Sequence, residues 1–115
     1  MEIINLGKEK GITIIAVKGR MDGMTSSEFD KKVEEWFQRG EDAFILNLGE
    51  LEYISSAGLR SILAMGKKLR AANGSLMVAS LTGLVKDVFE IAGFNSIFPV
   101  FPSVEAALTT TEKKT

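Results

Sequence analysis

The sequence predicts a single α/β domain in which a mixed, mostly parallel sheet of four to five strands packs with four helices. Short apolar segments alternate with longer amphipathic ones, the pattern of strands joined by right-handed crossovers into a right-handed βα superhelix. Two of the short segments, 43–46 and 76–79, lack polar alternation, as in strands covered on both faces. A chain of 115 residues without an internal repeat is long enough to bury one hydrophobic core.

Five segments have the character of β-strands. The first two are joined by the turn-like residues 8–11, which predicts an N-terminal hairpin, and a loop at 19–23 follows. The last segment is interrupted by Pro99 and is therefore expected at an edge of the sheet. The predicted strands are 3–6, 12–17, 42–48, 76–79 and 97–101.

Four segments are predicted as helices. Thr25 and Glu28 have the spacing of a capping box, and Thr82 is expected to cap the third helix. The fourth helix is expected to end near Thr109, so that residues 1–109 form the domain and 110–115 a flexible tail. Gly40, Asn73-Gly74 and Gly93 are the expected helix ends. The predicted inner faces are Phe29, Val33, Trp36 and Phe37; Leu59, Ile62, Leu63, Gly66 and Leu69; and Leu84, Val85, Val88, Phe89 and Ala92.

Composition excludes several classes of function. Fourteen basic and 15 acidic residues nearly cancel, which argues against direct nucleic-acid binding. The chain has neither cysteine nor histidine, so it lacks disulfides, thiol chemistry, and the commonest general base and metal ligand. We therefore expect no catalytic residues, no metal site and no enzymatic activity. No signal peptide and no apolar run of about 18–20 residues is visible, so we expect a cytoplasmic protein that does not span a membrane.

A pair of serines opens the second predicted helix. Ser55 and Ser56 lie between an acidic loop and an amphipathic segment, where free backbone N–H groups and the helix dipole favour an anion. A serine at this position is either a plain helix cap or a residue that receives a phosphate. Both interpretations stay open on the residues alone.

The topology predicts which loops meet. If the strands ending near Val17, Leu48 and Ala79 are parallel, their carboxyl ends lie along one edge of the sheet, where ligands and partners usually bind. The loops that follow these strands then share that edge. Asp22 and Ser56 are therefore expected to be neighbours in space.

Three segments resemble the STAS-domain family, specifically its single-domain bacterial anti-sigma factor antagonists. The first segment is Gly19-Arg20-Met21-Asp22 followed by Thr25. The second, from Leu46 to Leu59, includes Tyr53-Ile54-Ser55-Ser56-Ala57-Gly58 and is highly specific. The third is the stretch from Val78 to Gly93. The resemblance extends from about Ile3 to Leu108.

The resemblance implies a phosphorylation site. In that family the serine two residues before the helix glycine is phosphorylated, which by position is Ser56; Ser55, where many members have aspartate, is the second choice. The family's acidic residue beside the acceptor corresponds to Asp22. The kinase is the partner, an anti-sigma factor related to histidine-kinase ATPase domains, which supplies ATP and magnesium, so no intrinsic cofactor is expected. The partner-binding surface implied by position is Met21, Asp22, Thr25, Ser55, Ser56, Ala57, Gly58, Leu59 and Arg60.

The expected function is a switch between protein partners. The unphosphorylated protein, a monomer or weak dimer, would bind the anti-sigma factor and release the sigma factor, and phosphorylation of Ser56 would end this binding until a serine phosphatase reverses it. The alternative is a scaffold, sensor or transporter-associated STAS module that binds a protein or small ligand without a phosphate cycle. A nucleotide-hydrolysing enzyme is disfavoured, because no P-loop is present.

Overall fold

A computed structural model describes residues 1–113, and within them it confirms the predicted α/β class with one mixed sheet and four α-helices. A short 3₁₀ turn, Phe94–Ser96, precedes the last strand. The strands are β1 Glu2–Glu9, β2 Ile12–Met21, β3 Ala43–Asn47, β4 Leu51–Ile54, β5 Ser75–Ala79 and β6 Val100–Phe101. The helices are α1 Ser26–Gln38, α2 Ser56–Ala71, α3 Gly83–Ile91 and α4 Val104–Lys113.

The sheet has the order β1-β2-β3-β5-β6, with β4 paired only to β2. The pair β1 and β2 is antiparallel and forms the predicted hairpin, whereas the other neighbours are parallel. The carboxyl ends of β2, β3 and β5 therefore share one edge, as predicted. The last predicted strand, 97–101, corresponds to β6, which lies at an edge of the sheet as predicted. It is shorter than predicted because Ile97 still belongs to the end of the 3₁₀ turn.

Strand β4 was not predicted, and the loop predicted at 19–23 is wrong in its first half. Strand β2 continues to Met21 because its last residues pair with β4, in the register Arg20↔Tyr53 and Met21↔Ile54. Its first half pairs instead with β3. The exchange of partners occurs at Gly19, which has φ of +90° and adjoins a register shift. A glycine accommodates this backbone without the penalty of a Cβ.

Two apolar cores cover the sheet. Alternate residues of β2 point to opposite faces: Ile15 and Val17 join the core under α1, α2 and α3, whereas Ile12 and Ile14 join a smaller core under α4. This double burial explains why the central strands lack polar alternation. The site at the carboxyl edge is thus supported by a layer of helices on each face of the sheet.

The predicted inner face of α2 is confirmed but incomplete, and that of α3 is partly wrong. In α2 the buried side includes Ser61 and Met65, since α1 packs against that side of the helix. In α3 Val85 and Phe89 are buried, and Val88 is half-buried against the same core. This helix has nine residues and touches the core along a narrow stripe, so Leu84 is 57% exposed and Ala92 is exposed as well.

The helix ends are partly as predicted. Gly40 and Gly93 follow α1 and α3 with φ of +85° and +77°, which confirms them as helix ends. Thr25 and Thr82 occupy the N-cap positions of α1 and α3, as predicted, but neither hydroxyl makes the predicted capping hydrogen bond. Helix α4 continues to Lys113, beyond the predicted end near Thr109. Residues 114 and 115 of the predicted flexible tail lie outside the described residues.

Candidate functional site

The candidate site lies where β2, β4 and the start of α2 meet at the carboxyl edge of the sheet. The backbone N–H of Ser55 donates to the carbonyl of Met21 at 2.9 Å, which fastens α2 to the end of β2. Gly58 makes this approach possible: a Cβ there would lie 2.9 Å from the Met21 carbonyl oxygen and 2.8 Å from Cγ1 of Ile54. The Asp22 loop and the two serines therefore occupy the same edge, as the topology predicts.

The two serines have different surroundings. Ser55 is half-buried and is the N-cap of α2; its Oγ accepts a hydrogen bond from the backbone N–H of Gly58 at 3.2 Å. Ser56 is the first residue of the helix and is exposed. A capping hydroxyl is engaged in holding the helix, whereas one at the first helical position is open to a partner and lies at the positive end of the dipole. The serine that caps the helix, Ser55, and the serine whose hydroxyl is exposed, Ser56, are thus different residues.

Asp22, rather than Thr25, organises the start of α1. Its Oδ1 accepts hydrogen bonds from the backbone N–H groups of Met24 and Thr25, each at 3.0 Å. The Thr25 hydroxyl is occupied elsewhere, since its Oγ1 accepts from the Asp22 N–H at 2.8 Å and lies 3.0 Å from the Arg20 carbonyl. This network holds the acidic loop in one conformation beside the serines.

The same network lowers the pKa of Asp22. The largest cause is the hydrogen bond from the Thr25 backbone N–H; the Met24 N–H, the Thr25 hydroxyl and the positive charge of Arg20 act in the same direction, and partial desolvation opposes them. The carboxylate is therefore ionised at neutral pH and adds a fixed negative charge to this edge.

The lowered pKa predicts a dependence of stability on pH. Because the folded pKa lies below the unfolded value of about 3.9, the stability contributed by the Asp22 carboxylate is present above that value and is lost as pH falls through the folded pKa. We expect Asp22→Asn to make the free energy of unfolding less sensitive to acid. Urea denaturation of both proteins between neutral pH and acid measures this, and identical acid sensitivity would contradict the assignment.

The residues of the predicted partner surface differ in exposure. Met21 is fully buried and Gly58 is also buried, so both act by supporting the edge rather than by presenting a side chain. Met24 was not among the predicted contacts, yet it is 87% exposed. Its position in a glycine-flanked loop was the available signal. Half-buried members are Asp22, Thr25, Ser55, Ala57 and Leu59, and exposed members are Ser56 and Arg60.

Sequence reasoning also missed a pair of side chains beside the serines. The Arg20 guanidinium stacks over the ring of Tyr53, with its carbon 4.2 Å from the ring centroid. The two residues are direct neighbours across β2 and β4, so the contact follows from a strand that the sequence did not reveal. The stack places a cation on an aromatic face at the same edge as Asp22.

Two hollows adjoin the site. A shallow one of about 360 Å³ lies between α1 and α2, where Ala57 and Arg60 face Asp30. Another, of about 590 Å³, lies between the residues before β4 and the start of α3, and contains Glu50 and Glu52. Neither resembles a metal centre, and within residues 1–113 no group of three or more acidic residues is arranged to hold a metal ion. In that same part of the chain no helix is long and apolar enough to span a bilayer.

The fold and the site together define a class: a small α/β domain that presents a serine at a helix start, beside a fixed acidic loop. Residues 4–107 match the family model of the STAS domain, which is most of the chain. The protein therefore belongs to the STAS-domain family, as the motifs around Ser56 predict.

One relative agrees with this family, and two solved structures share the fold. BtrV of Bordetella bronchiseptica, an inferred anti-sigma factor antagonist, is 39% identical over 104 residues, which cover 90% of each chain. A Thermotoga maritima protein inferred to have the same role has a crystal structure with a TM-score of 0.84, at 18% identity over 95% of this chain and 92% of that one. The Bacillus protein SpoIIAA in its phosphorylated form gives a TM-score of 0.75, at 17% identity over 96% and 99% of the two chains.

Proposed function

We propose that this protein is an anti-sigma factor antagonist that works by exchange of partners. In its unphosphorylated form it binds a kinase-type anti-sigma factor, which then releases its sigma factor. Phosphorylation of Ser56 ends this binding. The observation that carries the proposal is the exposed Ser56 hydroxyl at the first position of α2, at the edge that also holds the Asp22 loop. The family role of the relatives supports it.

The chemistry is supplied by the partner, and Ser56 is the substrate. The Ser56 oxygen forms a bond to the γ-phosphorus of ATP, the bond from that phosphorus to its bridging oxygen breaks, and ADP leaves. The serine proton passes to a base of the kinase, and the kinase holds the magnesium ion. A serine phosphatase restores the hydroxyl by hydrolysis. This role requires a cytoplasmic location and no enzymatic activity of the protein itself.

Electrostatics explain how phosphate would switch the binding without unfolding the domain. A phosphoserine carries about −1.5 to −2 charges, and a helix N-terminus stabilises such an anion. The N-cap remains intact, because Ser55 and not Ser56 provides it. At the surface, however, a dianion near the Asp22 carboxylate has to be desolvated against a partner matched to a neutral hydroxyl, which is unfavourable.

The acceptor assignment predicts the outcome of a kinase assay. With the co-purified anti-sigma factor, ATP and magnesium, we expect the wild-type protein to gain the mass of one phosphate, and Ser56→Ala to gain none. Ser55→Ala is the matched control and should still be modified, although its helix start is weakened. Intact-protein mass spectrometry measures all three. Phosphate on Ser56→Ala would contradict the assignment. So would the absence of phosphate on Ser55→Ala under conditions where this variant is folded.

The exposed methionine predicts a contact with the anti-sigma factor. Met24 is held in place through the hydrogen bond from its backbone N–H to Asp22. We expect Met24→Ser to weaken binding of the anti-sigma factor by about tenfold, the effect of losing one well-placed apolar contact. Ile91 is equally exposed, at 87%, but lies at the far end of α3, so Ile91→Ser is the control. Isothermal titration calorimetry compares them, and equal affinities for the two variants would exclude Met24 from the interface.

A further inference from the structure

A further cavity, separate from the two hollows described above, lies at the opposite edge of the sheet, at the amino ends of the parallel strands. It is a cavity of about 530 Å³, within the range of about 300–1,000 Å³ typical of small-molecule sites. Its walls come from the β1–β2 turn, the starts of β3 and β5, the last turns of α2, the segment before β6, and α4. None of the residues considered above for the partner switch lines it.

An open stretch of sheet forms part of this cavity. Strand β5 is paired with β3 along its whole length, but β6 pairs only with Val78 and Ala79. The backbone N–H groups of Val78 and Ser80 point toward β6, where they donate to Pro99 and Phe101. Because the backbone alternates with a period of two, the N–H of Leu76 points to the same side, beyond the end of the β6 ladder. Leu76 lines the cavity, so a backbone donor that has no strand partner among the described residues faces it.

Among the side chains that the structure describes, those of residues 1–110, the charged members of the lining are Lys10 and Arg70, and none is a carboxylate. Arg70 forms no ion pair with the side chains of residues 1–110, and it lies in the last turn of α2, at this edge of the sheet. The remaining walls are mainly apolar, including Met77 and the ring of Phe98. A buried backbone donor inside an apolar hollow and an exposed guanidinium that lines it together favour an anionic group attached to an apolar body.

We propose that this cavity binds a small organic anion with an apolar body, whose acidic group contacts Arg70 and the backbone N–H of Leu76. The site is independent of the partner switch, since it lies at the other edge of the sheet. Helix α2 connects the two edges, because it begins at Ser56 and carries Arg70 in its last turn.

The test uses the full chain and decanoate as the probe, at concentrations below those at which it forms micelles. We expect saturable binding by calorimetry, with the amide signal of Leu76 among the largest shifts in a ¹H–¹⁵N correlation spectrum. Arg70→Gln should weaken this binding by about tenfold, which corresponds to the loss of one charge-assisted hydrogen bond. Lys67→Gln removes the same charge from the same helix outside the cavity and should bind like wild type.

Two further probes separate the parts of the proposal. Decanol keeps the apolar body without the charge, and citrate keeps charge without the apolar body; both should bind more weakly than decanoate. Thermal melts of both variants establish that they are folded. Absence of saturable decanoate binding, shifts that avoid Leu76, or equal losses in Arg70→Gln and Lys67→Gln would overturn the proposal.

Discussion

Replacing Ser56 with glutamate is expected to weaken binding of the anti-sigma factor by about a hundredfold, or ~2.7 kcal/mol, the range found when an unmatched charge is placed in an interface. The side chain is exposed at the first position of α2, so the charge enters the proposed contact surface directly. The fold should tolerate it, because acidic residues are favourable in the first turn of a helix. Surface plasmon resonance with the immobilised anti-sigma factor measures the change.

Ser96→Glu is the control for added charge. Ser96 is also exposed, but it lies in the 3₁₀ turn after α3, away from the carboxyl edge. We expect this variant to bind like wild type. If Ser56→Glu keeps wild-type affinity, or if both variants lose affinity equally, charge at Ser56 is not the basis of the switch.

Replacing Gly74 with alanine is expected to have the largest effect on stability. A Cβ at this position would lie 2.1 Å from the carbonyl oxygen of Asp42, far inside van der Waals contact. That carbonyl also accepts the hydrogen bond of the Ser75 N–H at 2.9 Å, so the start of β5 cannot move away without losing its pairing. We expect a loss of about 3 kcal/mol, the upper part of the usual range for overpacking. The melting temperature should fall by roughly 10–20 °C, as measured by circular dichroism.

Gly23→Ala is the matched control, because a Cβ at Gly23 would meet no atom within 4 Å and its φ is not positive. Its melting temperature should stay within a few degrees of wild type, an effect of roughly 0.5 kcal/mol or less. Equal melting temperatures for the two alanine variants would show that the contact at Gly74 relaxes freely.

The main strands and helices could be predicted because their apolar periodicity is strong. Strand β4 could not: Leu51–Ile54 is only four residues long, and the part of β2 that pairs with it contains Gly19, a residue that by itself indicates a loop. The pairing is decided by contacts between distant segments, which local pattern does not contain. The Arg20–Tyr53 stack depends on that pairing and was missed for the same reason.

The site could be predicted in its position but not in its hydrogen bonds. The shared edge of Asp22 and Ser56 follows from parallel strands alone. Which side chain bonds the backbone before α1 does not follow, since Asp22 and Thr25 can both do so and the choice depends on the Arg20 carbonyl lying near the threonine hydroxyl. Spacing likewise could not distinguish Met21, which is buried, from Met24, which is exposed.

The central claim is that phosphate on Ser56 determines which partner the protein holds. The most direct measurement compares the affinity of the purified anti-sigma factor for the unphosphorylated protein and for the protein phosphorylated on Ser56, with release of the sigma factor followed in the same titration. The account predicts tight binding and release by the unphosphorylated form, and at least about a hundredfold weaker binding without release by the phosphorylated form. Equal affinity and equal release by the two forms would contradict it.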